Sequence, residues 1–189
     1  MPAGGIHLCV AKKVARKLKV ENMMSFYVGN VAPDSWRNSA STKEGTHFIT
    51  TFESLDYDYE RFWCKYRNII EDDFVLGYLV HLIVDKYWYS NNLPTTHVPA
   101  SGYEDLNRLC SKLIEKYGIP RLELEKNFFN PIEELETVGI AKTLNFLNEV
   151  DYLENKENSF DIEKLTKAID ETSLFVEREI ERLKSSCLE

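Results

Sequence analysis

The sequence predicts an all-α fold organised around one apolar helix that carries a polar pair. Three observations predict it. Apolar residues recur at three- and four-residue intervals through most of the chain, and no pair of alternating runs reads as a β-hairpin. The stretch Glu71 to Ser90, EDDFVLGYLVHLIVDKYWYS, is too long and too continuously apolar for a strand. Within it His81 and Asp85 lie four positions apart, which stacks both side chains on one face of a helix. Burying that pair without partners would cost several kcal/mol, on the order of a domain's whole stability margin. A metal ion would compensate both groups; a plain His–Asp hydrogen bond in the core is the competing account. With 189 residues, 43% hydrophobic and 12% aromatic, the chain can bury a core without staples, and a single domain over 1–189 is expected.

From Ile6 to Leu18, Ile6, Val10, Ala11, Val14, Ala15 and Leu18 form one helical face, with Lys12, Lys13, Arg16 and Lys17 opposite. His7 is in register with Ala11, Val14 and Leu18, so it points inward. After Ser25, FYVGNVAPDSWRNSASTKEG is dense in Gly, Asn, Pro and Ser and reads as a loop following a short apolar run. Asp34 in that loop follows Pro33, as a turn or capping aspartate does. His47, in KEGTHFITTF, falls at the expected start of another helix or ordered segment.

Residues 56–70, DYDYERFWCKYRNII, predict an amphipathic helix whose aromatic stripe packs the core. Glu71, Asp72 and Asp73 open the central helix and suit the positive end of its dipole. The segment NNLPTTHVPASGY, with His97 in its middle, is a loop, either a lid or a connection. Leu106, Leu109, Leu113, Ile114 and Tyr117 mark a helix stopped by Gly118 and Pro120. Pro131 is expected to open the next, over PIEELETVGIAKTLNFLNEVDYL, and Asp161 the last. In that last helix Ile162, Leu165, Ile169, Val176, Ile180 and Leu183 make a regular apolar face for a cover helix or a homodimer interface. Cover helices are thus expected over 104–184, and candidate ligands within 1–97.

A net charge of −8 argues against binding a double-stranded nucleic-acid backbone. Cys9, Cys64, Cys110 and Cys187 form no CxxC pair, which fits free, buried thiols in a reducing compartment. The N-terminal stretch lacks the apolar core of a signal peptide, no run of 18 apolar residues occurs, and no basic amphipathic helix is exposed. A cytoplasmic protein without stable membrane association is expected.

All four histidines lie at or before position 97. Imidazoles and carboxylates in a thiol-free set suit zinc, with manganese or iron as alternatives. One ion could take Asp34, His47, His81 and Asp85, and a second could share Asp85 and add His7. Such a two-metal site activates water and clamps the attacking and leaving oxygens of a phosphoryl centre. Hydrolysis of a phosphate ester is the reaction class that follows.

The order IHLCVAKKV, FYVGNVAPDSWR, KEGTHF and LGYLVHLIVDKYW resembles short bacterial members of the zinc-dependent phospholipase C family, within the phospholipase C/P1 nuclease superfamily. The resemblance covers roughly the first 90 residues. It implies a helical bundle around a metal cluster, with Asp34, His47, His81 and Asp85 on one zinc and Asp85 bridging to an ion held by His7. It also implies that Asp34 orients or deprotonates the attacking water. Two features depart from the family. The HxxxE pair that holds a further metal is missing, because Ser101 stands four positions after His97, and with Met1 first and no signal-peptide pattern the terminal amine is not expected to serve as a ligand. One or two ions rather than three are therefore expected, with His97 as a lid residue or an extra ligand.

Arg37 and Lys43 lie between two candidate ligands, where a cation would serve to bind substrate phosphate; surface charge is the competing reading. A small soluble phosphoester or a lipid headgroup fits equally. Two other readings stand beside this one. An HD-type phosphohydrolase is disfavoured because no histidine here precedes an aspartate, and a non-catalytic helical metal-binding or interaction module needs no chemistry at all.

Overall fold

A computed structural model of the protein describes residues 3–50, 56–96, 102–149 and 160–186. The described residues are all-α: α1 (Gly4–Leu18), α2 (Met23–Val31), α3 (Lys43–Thr46), α4 (Tyr59–Tyr66), α5 (Asp73–Ser90), α6 (Tyr103–Tyr117), α7 (Thr137–Glu149) and α8 (Ile162–Ser185). Two 3₁₀ turns follow α2 and α4 directly, over Ala32–Asn38 and Arg67–Ile69. One isolated antiparallel bridge pairs Ile49 with Tyr57. No described helix is long and apolar enough to cross a membrane.

Helix α5 is the axis. Every residue from Phe74 to Asp85 is buried, so its neighbours enclose it on all sides. Asp72 caps it, accepting from the backbone N–H groups of Phe74 and Val75, while Asp73 accepts from those of Glu21 and Asn22. These acids thus do more than oppose a dipole: one starts α5 and the other ties it to the head of α2.

The chain from Ser25 to Val31 is helix α2 rather than the expected loop. Its Gly29 looks like a breaker in the sequence but serves close approach. A Cβ on Gly29 would lie 2.0 Å from the Phe74 carbonyl oxygen, and one on Gly77 would lie 2.1 Å from that of Phe26. The two glycines let α2 and α5 cross backbone to backbone, a packing gain that outweighs glycine's poor helix propensity.

Helix α1 buries Ile6, Val10, Ala11, Val14 and Ala15 and ends at Lys19 in the left-handed region. Its outward Lys13 and Lys17 pair with Asp170 and Glu181 of α8 at 2.7 and 2.9 Å. Helix α4 is shorter than predicted, but Phe62, Trp63 and Tyr66 are buried as the stripe required. Helix α6 stops at Gly118, φ +60°, as its sequence predicts. Helix α7 begins at Thr137, not at Pro131. The preceding residues spend their polar groups on Asn130, whose side chain accepts from the Ile132 N–H and donates to the Leu135 carbonyl. Asp161 caps α8 as expected, and the apolar face of α8 is buried within the chain, where the helix packs on α1 and α5. Cys9 and Cys110 are buried free thiols; Cys64 is also free but exposed, because it lies on the outer side of α4. Cys187 and His97 lie outside the described residues.

Candidate metal centre

Four elements each bring one or two polar side chains to a common point. His7 comes from the first turns of α1, Asp34 from the 3₁₀ turn after α2, His47 from the end of α3, and His81 with Asp85 from α5. His7, His47, His81 and Asp85 are all fully buried, and the Asp34 side chain is 16% exposed.

Local structure aims each of them. His47 closes α3 instead of opening a helix. The next residue, Phe48, has φ +53°, a left-handed conformation that bulky side chains avoid, and this reversal sends Phe48 into the core against Phe62 while His47 turns toward α5. The Tyr78 hydroxyl donates to the Thr46 carbonyl and holds that turn against α5. His81 Nδ1–H donates to the Asn30 carbonyl at 2.7 Å. The Thr46 hydroxyl donates to the Lys43 carbonyl at 3.4 Å and so accepts from His47 Nδ1–H at 3.0 Å.

These partners fix the tautomers of the neutral rings: with both Nδ1 atoms protonated, the Nε2 atoms of His47 and His81 carry lone pairs. The two Nε2 atoms face each other at 3.3 Å. Asp85 Oδ2 lies 3.5 Å from each of them, and Asp34 Oδ1 lies 3.7 Å from His47 Nε2. With the rings neutral, four electron-rich atoms converge there, and a positive charge at that point, a metal ion or a proton on His81, offsets their repulsion. An ion bonded at about 2.0–2.1 Å to four tetrahedral nitrogen and oxygen ligands sets them about 3.3–3.4 Å apart, close to the spacing found.

Asp85 faces two ways. Its Oδ2 belongs to the set just described, while Oδ1 lies 3.4 Å from His7 Nε2. The His7 ring stacks on that of His81 with centroids 3.9 Å apart. Both His7 nitrogens, both Asp85 oxygens and Asp34 Oδ1 are buried without a hydrogen-bond partner. Buried polar atoms are rarely left so, and five of them lie at this one point. The groups His7, His81, Asp85 and Asp34, His47, His81 could each hold a metal ion. His81 has a single free lone pair and serves one ion only, which leaves Asp34, His47 and His81 with Asp85 Oδ2 beside two of them, and next to these a pair made by His7 and Asp85 Oδ1.

Electrostatics separates the members. Burial, helped by the nearby His81, pushes His7 down to about 4, and burial also lowers His47. Burial opposes the charge on His81 too, but Asp85 with Asp34 outweighs it and holds His81 above its ordinary value. For Asp85, burial favours the neutral acid, yet His81 and His7 together keep it well below the usual carboxylate range. Asp34 is lowered as well: burial again opposes its charge, and His47, His81 and Arg37 prevail. Anionic carboxylates among largely neutral imidazoles are the protonation states that ligate a divalent cation.

Asp34 also reaches a surface cavity of about 230 Å³, lined by Gly4, Val31, Arg37, Asn38, Thr143, Phe146 and Leu147 as well. The Arg37 guanidinium lies 5.5 Å from the centre of the Trp36 ring and pairs with no carboxylate among the described residues. Lys43 does not line the cavity; it sits in α3, where its carbonyl caps the turn that aims His47. Residue-level reasoning missed three contributors: the Asn30 carbonyl, Thr46, and Tyr57. The Tyr57 ring lies 6.1 Å from that of His47, and its buried hydroxyl has no partner. None of the three carried a signal in the sequence: Asn30 acts through its backbone carbonyl, which any residue would supply there.

Comparison with protein-family models, curated proteins and solved structures finds no match to this chain. The class defined by fold and site is a helical protein with a buried His/Asp group that could hold a metal ion.

Proposed function

We propose that the protein is a metal-dependent phosphoesterase of the phospholipase C-like type. One ion, zinc or a similar divalent cation, is held by Asp34, His47, His81 and Asp85, and a second, weaker one by His7 and Asp85. The observation that carries this reading is the convergence of lone pairs from His47, His81, Asp85 and Asp34 at 3.3 to 3.7 Å. The phosphoester part rests on the resemblance and on one further feature, the guanidinium of Arg37 lining the same cavity as Asp34. A bound divalent cation supplies Lewis acidity and makes water nucleophilic at neutral pH. Asp34, the one partly exposed member, accepts a proton from the attacking water at its carboxylate, and Arg37 binds the phosphate oxygens. The water oxygen bonds to phosphorus, the ester P–O bond breaks, and the leaving alkoxide takes up the proton that Asp34 received, departing as the alcohol.

Elemental analysis of protein purified without chelator tests the metal: about one equivalent or more of a transition metal per chain is expected, with a rise in Tm on adding zinc. A panel of phosphomonoesters, phosphodiesters and phospholipids then tests the chemistry, with turnover lost in Asp34→Asn and His81→Ala. Less than about half an equivalent and no zinc-dependent rise in Tm would refute the metal site.

A second reading is favoured by a specific observation: His7, His47, His81 and Asp85 are sealed from solvent, so an ion among them has protein donors on most sides. Structural ions are held that way, whereas catalytic ones keep an open position. Stoichiometric metal without turnover on any of these esters would favour that structural module.

A further inference from the structure

The cavity beside Asp34 has two unlike kinds of wall. One is cationic: the Arg37 guanidinium lines it, and Lys142 donates to the carbonyl of Asn38, another lining residue, at 3.4 Å. The other is apolar: Val31, Phe146 and Leu147, with Phe146 53% exposed. The Asn38 side-chain amide donates to the Thr143 hydroxyl at 3.1 Å, which joins the turn after α2 to α7. In a chain of net charge −8, a guanidinium lining an apolar cavity is a local exception. An anion with an apolar substituent matches both walls; a sugar or polyol phosphate matches only one. Size adds a second restriction. At about 230 Å³ the cavity is smaller than the roughly 300–1,000 Å³ of sites that enclose drug-sized ligands.

We infer that this pocket selects small phosphate esters of apolar alcohols, aryl or short branched-alkyl phosphates, with Arg37 on the phosphate and Phe146 and Leu147 against the ester group. Diacyl lipids and dinucleotides are too large for it. The inference rests on the phosphoesterase reading for its chemistry, but its binding claim can be tested without turnover.

Titration calorimetry with the zinc-loaded protein compares phenylphosphonate with methylphosphonate, two non-hydrolysable anions of like charge that differ in the apolar group. Phenylphosphonate binds about tenfold tighter or more, because burying most of a phenyl ring is worth at least one decade of affinity. Phe146→Ala, at a half-exposed position that supplies no metal ligand, removes most of that preference while zinc content and Tm stay unchanged. Arg37→Gln weakens both anions alike. Equal affinities for the two phosphonates, no binding of either, or a preference that survives Phe146→Ala would each overturn the inference. Preferential phenylphosphonate binding without hydrolysis of 4-nitrophenyl phosphate would sink the phosphoesterase reading and leave the pocket standing. Turnover of glycerol phosphate equal to that of 4-nitrophenyl phosphate would do the reverse.

Discussion

Helices α5 and α8 pack against each other and both bury polar side chains, yet they resolve the cost in opposite ways. In α8, Thr172 and Ser173 are buried, and each hydroxyl donates to the carbonyl four residues back, to Ala168 and Ile169, at 2.7 Å. That solution is local and asks nothing of the rest of the protein. In α5, His81 satisfies one nitrogen on Asn30 of another helix, and neither oxygen of Asp85 finds a hydrogen-bond donor. A buried polar group therefore says little by itself; one that the fold leaves unsatisfied, among others of the same kind, points to a ligand.

The contrast can be broken most severely where α2 and α5 touch. Gly77→Ala places a methyl group about as near the Phe26 carbonyl as a covalent neighbour. A cost of about 3 kcal/mol or more is expected, because backbone on both sides cannot yield. Since Asn30 moves with Phe26, zinc affinity falls too; denaturant unfolding and zinc titration on the same variant check both.

Asp85→Asn comes next. It withdraws an anionic donor from both ligand sets, and affinity for zinc drops by about 100-fold or more, equivalent to about 2.7 kcal/mol. The zinc-dependent rise in Tm disappears with it. An unchanged rise would show that Asp85 is merely a core carboxylate.

Chelation of the unaltered protein has a comparable but gentler effect. A ligand present at 100 times its Kd adds about 2.7 kcal/mol, so its removal lowers Tm by about 5–10 °C in a chain of this size. Acid sharpens the test. In the metal-free protein His7 is held neutral, with its pKa lowered from 6.5 to about 4. The unfolded chain takes up a proton at His7 before the folded one does, so stability falls as pH drops from 6.5 toward 4. His7→Asn flattens that slope; bound zinc, which also requires the neutral ring, makes it steeper.

The smallest effect is expected in α8. Thr172→Val removes a hydroxyl that donates within its own helix, and stability changes by about 1 kcal/mol or less with no change in zinc affinity. A loss of metal in this variant would end the distinction between the two helices.

Much of this was legible in the chain itself. Helical periodicity marked α1, α5, α6 and α8, Gly118 and Asp161 marked a stop and a start, and the His81–Asp85 spacing in an apolar run marked the centre. Those signals are local, set by repeat period and capping chemistry, and neighbouring residues suffice to read them. Tertiary contact decided the rest. It turned the Gly29 segment from an apparent loop into a helix, because a glycine that weakens a helix in isolation strengthens one that must cross another at backbone distance. It placed Lys43 off the cavity and Arg37 on it, though both lie in the same polar stretch. And it brought His47 Nε2 and His81 Nε2 to 3.3 Å across 34 residues of sequence, a separation no periodicity encodes, since convergence in space depends on every helix that packs between them.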